Sequence, residues 1–179
     1  MVTFLDRTGR HTLNYVYGAT ADSKITVISE ATPFGLREVA NWGADPEAYL
    51  SVTDNLTDFN FGTGDFCLEF LGKFTNTPSV LDIYVPTQAA WQAWFQPSGE
   101  DKKLSLYWGT GGPVSAILPS INTYHSYCID RAAGILRIFI DGVKVTEVAN
   151  TVNFTAVGVT PFAIGAQVAS RNNQPDAGA

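Results

Sequence analysis

The chain has 179 residues, of which 45% are hydrophobic and only 16% are charged, and its net charge is −6. This length allows one domain with a two-layer core, and the negative charge disfavours binding to nucleic-acid phosphates. No apolar run is long enough to span a bilayer, and the N-terminus lacks a basic region before an apolar core, so we predict neither membrane insertion nor a signal peptide.

Short runs of alternating apolar and polar residues recur along the chain, as expected of strands with one buried face. Turn sequences such as GTGD, GTGGP and RAAG separate them. We place a long loop at Glu30–Pro46 and keep a short helix at Gln88–Ala93 as an alternative to a strand there. The predicted strands are, in chain order, His11–Tyr17, Lys24–Ser29, Tyr49–Val52, Asp65–Phe74, Val80–Val85, Trp91–Gln96, Lys103–Trp108, Val114–Leu118, Tyr124–Asp130, Ile135–Ile140, Val143–Val148 and Phe162–Ala166.

This pattern of many short strands without an internal repeat predicts an all-β fold, an antiparallel two-sheet jelly-roll sandwich with few or no helices. The clearest hairpin is ILRIFIDGVKVTEV, in which Asp141 and Gly142 form the preferred pair of a type I′ turn. Cys67 and Cys128 lie within predicted strands, so we expect reduced thiols rather than a disulfide framework. They show no short-range spacing of a zinc site.

Residues that could carry a reaction are few. His11 and His125 are the two histidines of the chain, and neither adjoins a nucleophile elbow. A retaining glycosidase needs two carboxylates roughly 5 Å apart, whereas Glu69 and Asp130 each stand alone on one strand face. We therefore predict that the protein is not an enzyme, with an endoglucanase-like hydrolase as the weaker alternative.

The segment TDNLTDFN contains oxygen ligands of the type that calcium prefers. They are Asp54, Asn55, Asp58 and Asn60. Their spacing is not that of an EF-hand, and the alternative is a solvated turn in which these side chains cap the backbone. We predict no required cofactor and keep calcium as the alternative.

Aromatic residues remain on the more polar faces of three predicted strands. By alternation these residues are Trp94, Tyr107 and Phe139. Such rings stack on sugars or anchor protein interfaces, where aromatic residues are enriched. A third interpretation is that the Glu30–Pro46 loop covers them.

Several segments together resemble the laminin-G-like, concanavalin-A-like jelly-roll modules, many of which are encoded by bacteria and tailed bacteriophages. These segments are AYLSVTDNLTDFNFGTGDFCLEFLGKF, AWQAWFQPSGEDKKLSLYWG, YHSYCIDRAAGILRIFIDGVKV and PFAIGAQ, within Ala48 to Gln167. Tyr124 stands where the family has Trp. Leu71 and Gly72 stand in place of the two residues, Trp and Val, that follow the Glu-Phe dipeptide in the family. Clear copies of the first and last strands are missing. A bare sheet edge invites aggregation, so we expect the N-terminal arm or another subunit to cover it.

The resemblance implies one domain, with N-terminal strands and an arm in residues 1–47, the jelly-roll core in 48–168 and a polar tail in 169–179. It also implies a non-catalytic structural or adhesive protein of a bacteriophage virion, in the capsid decoration, tail or fibre. The expected partners are virion proteins or further copies of the chain. A carbohydrate-binding module for host-surface glycans is the alternative.

Overall fold

A computed structural model describes residues 10–16, 25–42, 49–52, 54–59, 61–73, 81–84, 92–96, 103–108, 111–117, 119–120, 122–154 and 162–164. At some strand positions, including Trp94 and Tyr107, the description covers the backbone only. The predicted tail 169–179 and Asn60 lie outside the described residues.

The described residues form strands and one short 3-10 helix, Leu56–Phe59. The strands are β1 Leu13–Val16, β2 Ile25–Thr32, β3 Gly35–Trp42, β4 Tyr49–Val52, β5 Phe66–Lys73, β6 Leu81–Tyr84, β7 Gln92–Gln96, β8 Lys103–Trp108, β9 Gly111–Ile117, β10 Tyr124–Ala132, β11 Ile135–Ile140, β12 Val143–Ala149 and β13 Phe162–Ile164.

These strands pair in antiparallel fashion into two large sheets and a hairpin. One sheet has seven strands in the order β1-β4-β13-β6-β7-β8-β9, and the other has four in the order β12-β11-β10-β5. The hairpin consists of β2 and β3. This architecture confirms the predicted antiparallel jelly-roll sandwich.

The core lies between the two large sheets. Leu136, Ile138 and Ile140 are buried at alternate positions of β11, and they share one cluster with Val52 of β4 and Leu104 of β8. Since side chains of a strand alternate between the two faces, burial of one face leaves the other face of the four-stranded sheet outside the core. The turn at Asp141 and Gly142 has positive φ at both positions, 52° and 77°, as the predicted type I′ turn requires.

The N-terminal segment supplies the edge strand of the seven-stranded sheet. Leu13 to Val16 pair with Val52 to Tyr49, so β4 lies between β1 and β13. The edge of β4 that β13 leaves open is therefore covered by β1.

The predicted loop at Glu30–Pro46 is wrong over residues 30–42, and residues 43–46 lie outside the described residues. β2 continues to Thr32 and turns into β3, which runs from Gly35 to Trp42. A compact turn makes this possible: the Thr32 hydroxyl accepts a hydrogen bond from the Phe34 N–H at 3.1 Å and donates one to the Gly35 carbonyl at 2.9 Å. Gly35 has a φ of +87°, a conformation that favours glycine.

The alternative helix at Gln88–Ala93 is not formed in the part of it that is described. Residues 92–96 form a strand, and Gln88 to Trp91 lie outside the described residues.

Candidate binding cleft on the four-stranded sheet

The outer face of the four-stranded sheet carries a mixed polar and aromatic surface. In β5 the alternation turns Leu68 toward the core and leaves Glu69 exposed. In β10, Ile129 is buried, whereas its neighbours Cys128 and Asp130 are only half-buried. Strict alternation in neighbouring strands thus gathers chemically active side chains on one outer surface.

The β2–β3 hairpin is attached to this sheet by polar contacts. Glu30 of β2 forms an ion pair with Lys73 of β5 and accepts a hydrogen bond from the Tyr124 hydroxyl at 2.7 Å. The Lys73 ammonium group also lies 5.2 Å from the centre of the Tyr124 ring. These contacts place the Phe34 turn beside the outer face of the sheet, where Phe34 lines a cleft.

The cleft has a volume of about 560 Å³ and contains both aromatic and acidic side chains. Its lining consists of Phe34, Cys67, Glu69, Phe70, Leu71, Ser126, Tyr127, Cys128, Asp130, Phe139 and Gly142. The residues come from β5, β10, β11 and the two hairpin turns, so the cleft exists because these elements pack together. Its volume falls within the range of about 300–1,000 Å³ found for ligand sites.

Two thiols and a carboxylate meet on the floor of this cleft. Cys128 pairs with Glu69 across β10 and β5, and Cys67 pairs with Asp130 two positions further along the ladder. The Sγ atoms of Cys67 and Cys128 lie 3.2 Å apart without a bond between them. Burial, with smaller effects from the hydrogen bond to Cys67 and from nearby charges, raises the pKa of Cys128 to about 12.

Asp130 is held by an arginine on the neighbouring strand. Arg137 Nε donates to Oδ1 at 2.7 Å and Arg137 Nη2 donates to Oδ2 at 2.6 Å, a bidentate pair. The hydrogen bonds to Asp130 raise the pKa of Arg137. Both oxygens of Asp130 thus already accept charge-assisted hydrogen bonds.

A second polar cluster joins the β11–β12 turn to β10. The Asp141 carboxylate lies 2.7 Å from His125 Nδ1 and accepts a hydrogen bond from the Ser126 N–H at 2.9 Å. Ser120 Oγ lies 3.5 Å from the other ring nitrogen of His125. The chain of contacts from Ser120 through His125 to Asp141 has the same residue types as a hydrolase triad. However, the 3.5 Å between Ser120 Oγ and His125 exceeds the distance of about 2.6–3.2 Å needed for proton transfer. The contacts of Asp141 fit a role in holding the turn.

Three of the candidate calcium ligands, Asp54, Asn55 and Asp58, contact the N-terminal segment. Both oxygens of Asp54 accept the Thr12 N–H at 2.9 Å. This bond is the main reason why the pKa of Asp54 is lowered. Asp58 forms an ion pair with Arg10 at 2.7 Å, and the Asn55 amide donates to the Arg10 carbonyl. These contacts match the turn interpretation, and calcium binding stays a prediction.

The predicted aromatic surface residues lie on different sheets. Trp94 in β7 is paired through its backbone with Asp82 and Ser105, and Tyr107 lies in β8 of the same seven-stranded sheet. Phe139 lies in β11 of the four-stranded sheet and lines the cleft. Of the three, the structure places only Phe139 in the cleft by its side chain.

A family model described as the concanavalin A-like lectin/glucanases superfamily, Laminin_G_3, matches residues 45–179. The chain belongs to this superfamily. No curated protein sequence matches it. Among the described residues, no helix is long and apolar enough to cross a membrane.

Solved structures share the superfamily fold at low sequence identity. Domain 4 of AbnA, an extracellular GH43 arabinanase of Geobacillus stearothermophilus in complex with arabinotriose, is 15% identical with a TM-score of 0.59, over 90% of this chain and 77% of that one. A botulinum neurotoxin type C structure, whose cell entry depends on two ganglioside molecules, is 11% identical with a TM-score of 0.52, over 95% and 47%. At these identities the likeness is one of fold.

Sequence reasoning did not identify the thiol pair or the cleft in this superfamily member. Cys67 and Cys128 are 61 positions apart, and the absence of a short spacing led to no predicted site. The alternation in β5 and β10 assigns both thiols to the outer face. Their juxtaposition depends on the pairing register of the two strands, which local patterns do not specify.

Proposed function

We propose that the protein is a non-catalytic glycan-binding module and that the cleft on the four-stranded sheet is its binding site. The observation that carries this proposal is the combination of two phenylalanines, Phe34 and Phe139, with the carboxylates of Glu69 and Asp130 around one open cleft. A sugar ring has an apolar C–H face and a rim of hydroxyls. Aromatic rings accommodate the face, and carboxylates accept hydrogen bonds from the hydroxyls.

The polar groups of the cleft support binding rather than bond cleavage. A glycosidase acid must hold a proton and deliver it to the leaving oxygen. Asp130 is paired with Arg137 through both oxygens, each of which accepts a charge-assisted hydrogen bond from the guanidinium. Asp130 therefore suits hydrogen-bond acceptance better than general acid catalysis. We expect no release of reducing sugar from β-glucans, and release that disappears in Glu69→Gln would contradict the non-catalytic role.

The proposal is tested by retention on immobilised oligosaccharides, with arabinotriose as the first probe and β-glucan oligosaccharides as the second. We expect Phe139→Ala to weaken retention at least about tenfold, because the ring contributes both buried area and stacking. Val143→Ala is the matched control, since Val143 is an exposed apolar residue that does not line the cleft.

A third variant, Trp94→Ala, distinguishes binding on the seven-stranded sheet from binding on the four-stranded sheet. If Trp94→Ala abolishes retention while Phe139→Ala does not, the ligand binds on the seven-stranded sheet and the cleft assignment is wrong. If the unmodified protein is retained on no oligosaccharide of a broad panel, the glycan function is wrong.

A structural or adhesive role in a bacteriophage virion is the second candidate, as capsid decoration or as a tail or fibre component. It is supported by large apolar side chains that stay exposed on the hairpin and on β12, namely Phe34, Leu36, Val143 and Val145. Protein interfaces bury such side chains. In this role the chain is made in the bacterial cytoplasm and binds virion proteins or further copies of itself.

This second role predicts an assembly that buries more than about 1,000 Å². Light scattering on the purified chain, with Leu36→Ser as the interface variant, measures self-association. Co-sedimentation with purified capsids and tails measures binding to the particle. A protein that stays monomeric and binds neither capsids nor tails contradicts the virion role.

A further inference from the structure

The floor of the cleft brings three potential metal ligands together. The Sγ atoms of Cys67 and Cys128 and a carboxylate oxygen of Glu69 all lie within 4.8 Å of one another. The glycan proposal uses the aromatic rings of the same cleft but assigns no role to the thiols.

The positions of these ligands are set by a continuous strand ladder. β5 and β10 are paired without a register shift from Phe66 opposite Arg131 to Lys73 opposite Tyr124. The three ligands project from the middle of this ladder, where the backbone is fixed by hydrogen bonds on both strands. The cluster is thus preorganised by secondary structure rather than by a flexible loop.

The register argues against a relaxed disulfide as the purpose of the thiol pair. Cys67 lies opposite Asp130 and Cys128 opposite Glu69, so the cysteines are diagonal neighbours. Diagonal positions in an antiparallel pair are about 7–8 Å apart, whereas disulfides span Cα separations of about 4.4–6.8 Å. Closing the bond would require a backbone shift within a regular ladder.

The sulfur separation is closer to that of two ligands on one metal ion. Two thiolates bound tetrahedrally at about 2.3 Å from zinc lie about 3.8 Å apart, and the observed separation is 3.2 Å. A bonded pair of sulfurs lies at about 2.05 Å. A small rotation of either cysteine side chain therefore brings the two sulfurs to the spacing of two ligands on one ion. Thiolates with a carboxylate select a thiophilic divalent ion over calcium or magnesium.

The cluster is also open to solvent. Asp130 lies directly opposite Cys67, but its charge is balanced by Arg137 in the bidentate pair, so we do not count Asp130 among the ligands. Cys67 and Glu69 are exposed and Cys128 is half-buried, so an ion entering from solvent can reach all three ligands.

We propose that Cys67, Cys128 and Glu69 bind one thiophilic divalent cation of the zinc class, with the fourth coordination position open to water or to a ligand in the cleft. Three protein ligands and one open position are typical of zinc sites that are accessible to exogenous ligands. The metal site shares Glu69 with the proposed glycan site but uses neither aromatic ring, and its test with metal ions does not require that a glycan binds.

The test uses the full chain, reduced and freed of metal, and titrated with Co²⁺ and then with Zn²⁺. We expect a thiolate-to-cobalt charge-transfer absorption that saturates at one equivalent and disappears on addition of zinc. Cys128→Ser should remove this absorption, and Glu69→Gln should weaken cobalt binding at least about tenfold. Glu147→Gln is the matched control, because Glu147 is an exposed carboxylate on the same sheet that pairs with Lys144.

Two results would overturn the metal site. One is the absence of thiolate-to-cobalt absorption in the reduced protein. The other is equal cobalt affinity in the unmodified chain and in the Cys67→Ser, Cys128→Ser double variant. Circular dichroism of each variant checks that the fold is intact, and glycan retention by Cys128→Ser shows whether the two functions are separate.

Discussion

At the scale of single residues, Arg131 is a charged side chain placed inside the apolar core. Its surface is 1% exposed. The guanidinium donates hydrogen bonds to the carbonyls of Gly62, Gly64 and Val152 at distances from 2.6 to 2.9 Å. The rings of Phe66 and Phe154 lie on it, with centres 5.2 and 4.7 Å away. One residue therefore ties the segment before β5 to the segment after β12.

We expect Arg131→Met to lower the free energy of unfolding by about 3 kcal/mol or more. The substitution keeps much of the apolar volume but removes the hydrogen bonds from the guanidinium to three partly buried carbonyls, and a hydrogen bond from a charged group contributes about 1.5–3 kcal/mol. Urea denaturation at neutral pH measures the change. Arg137→Met is the control: its guanidinium lies on the outer face of the sheet, where solvent screens its ion pair, and we expect a much smaller loss than for Arg131→Met. Equal effects of the two substitutions would contradict the structural role of Arg131.

The lowered pKa of Asp141 predicts that the folded protein loses stability in a defined acidic pH range. The pKa of Asp141 lies below the ordinary value of 3.8, first because of the hydrogen bond with His125 and second because of that from the Ser126 N–H. A lowered pKa means that its contribution to stability is fully present above pH 3.8. That contribution is lost as the pH falls through the lower folded-state value, because the unfolded chain takes up the proton first.

The matched variant is Asp141→Asn, because asparagine also tolerates the positive φ of 52° at this position. We expect the variant to be less stable than the unmodified chain at pH 6, with the difference shrinking below pH 3.8. Urea midpoints at several pH values provide the measurement. A stability difference that stays constant over this range would show that the carboxylate charge is not involved.

At the scale of elements, the sequence predicts β5, β10 and β11 well and misses β3. These three strands alternate because one face enters the core, and each has a glycine-containing turn at one end or both. The segment Gly35–Trp42 belongs to a hairpin outside the two large sheets, where exposed Leu36 and charged Arg37 interrupt the expected pattern. Because Leu36 and Arg37 interrupt the alternation, the local pattern does not indicate that this segment pairs with β2.

The hairpin should be the first part of the described structure to open. A two-stranded sheet is marginally stable by itself, and Glu30 links this one to Lys73 and Tyr124. We expect Glu30→Gln to speed amide hydrogen exchange in β2 and β3 about fivefold, on the order of 1 kcal/mol in local opening, while β10 and β11 keep their protection. Unchanged exchange in β2 and β3 would mean that these contacts do not hold the hairpin.

At the scale of the whole molecule, two antiparallel layers hide one face of each sheet and leave the outer faces for binding. The fold class is predictable from the sequence because it follows from many short alternating strands and turn residues. The site is predictable only in part: alternation identifies Phe139 as an outward ring, but Phe34 reaches the same cleft through the unforeseen hairpin. Glu69 and Asp130 come together through the register of β5 and β10. Side chains that are distant in the sequence reach one cleft because their strands pair, and local sequence patterns do not specify this pairing.

If ligands bind on the outer face of the four-stranded sheet, this face will respond when an oligosaccharide that the protein retains is titrated into the isotope-labelled protein. We expect the changes in amide chemical shift to cluster at β5, β10, β11 and the Phe34 turn and to saturate at one equivalent. Shifts confined to the seven-stranded sheet around Trp94, or no shifts at all, would contradict binding on this face.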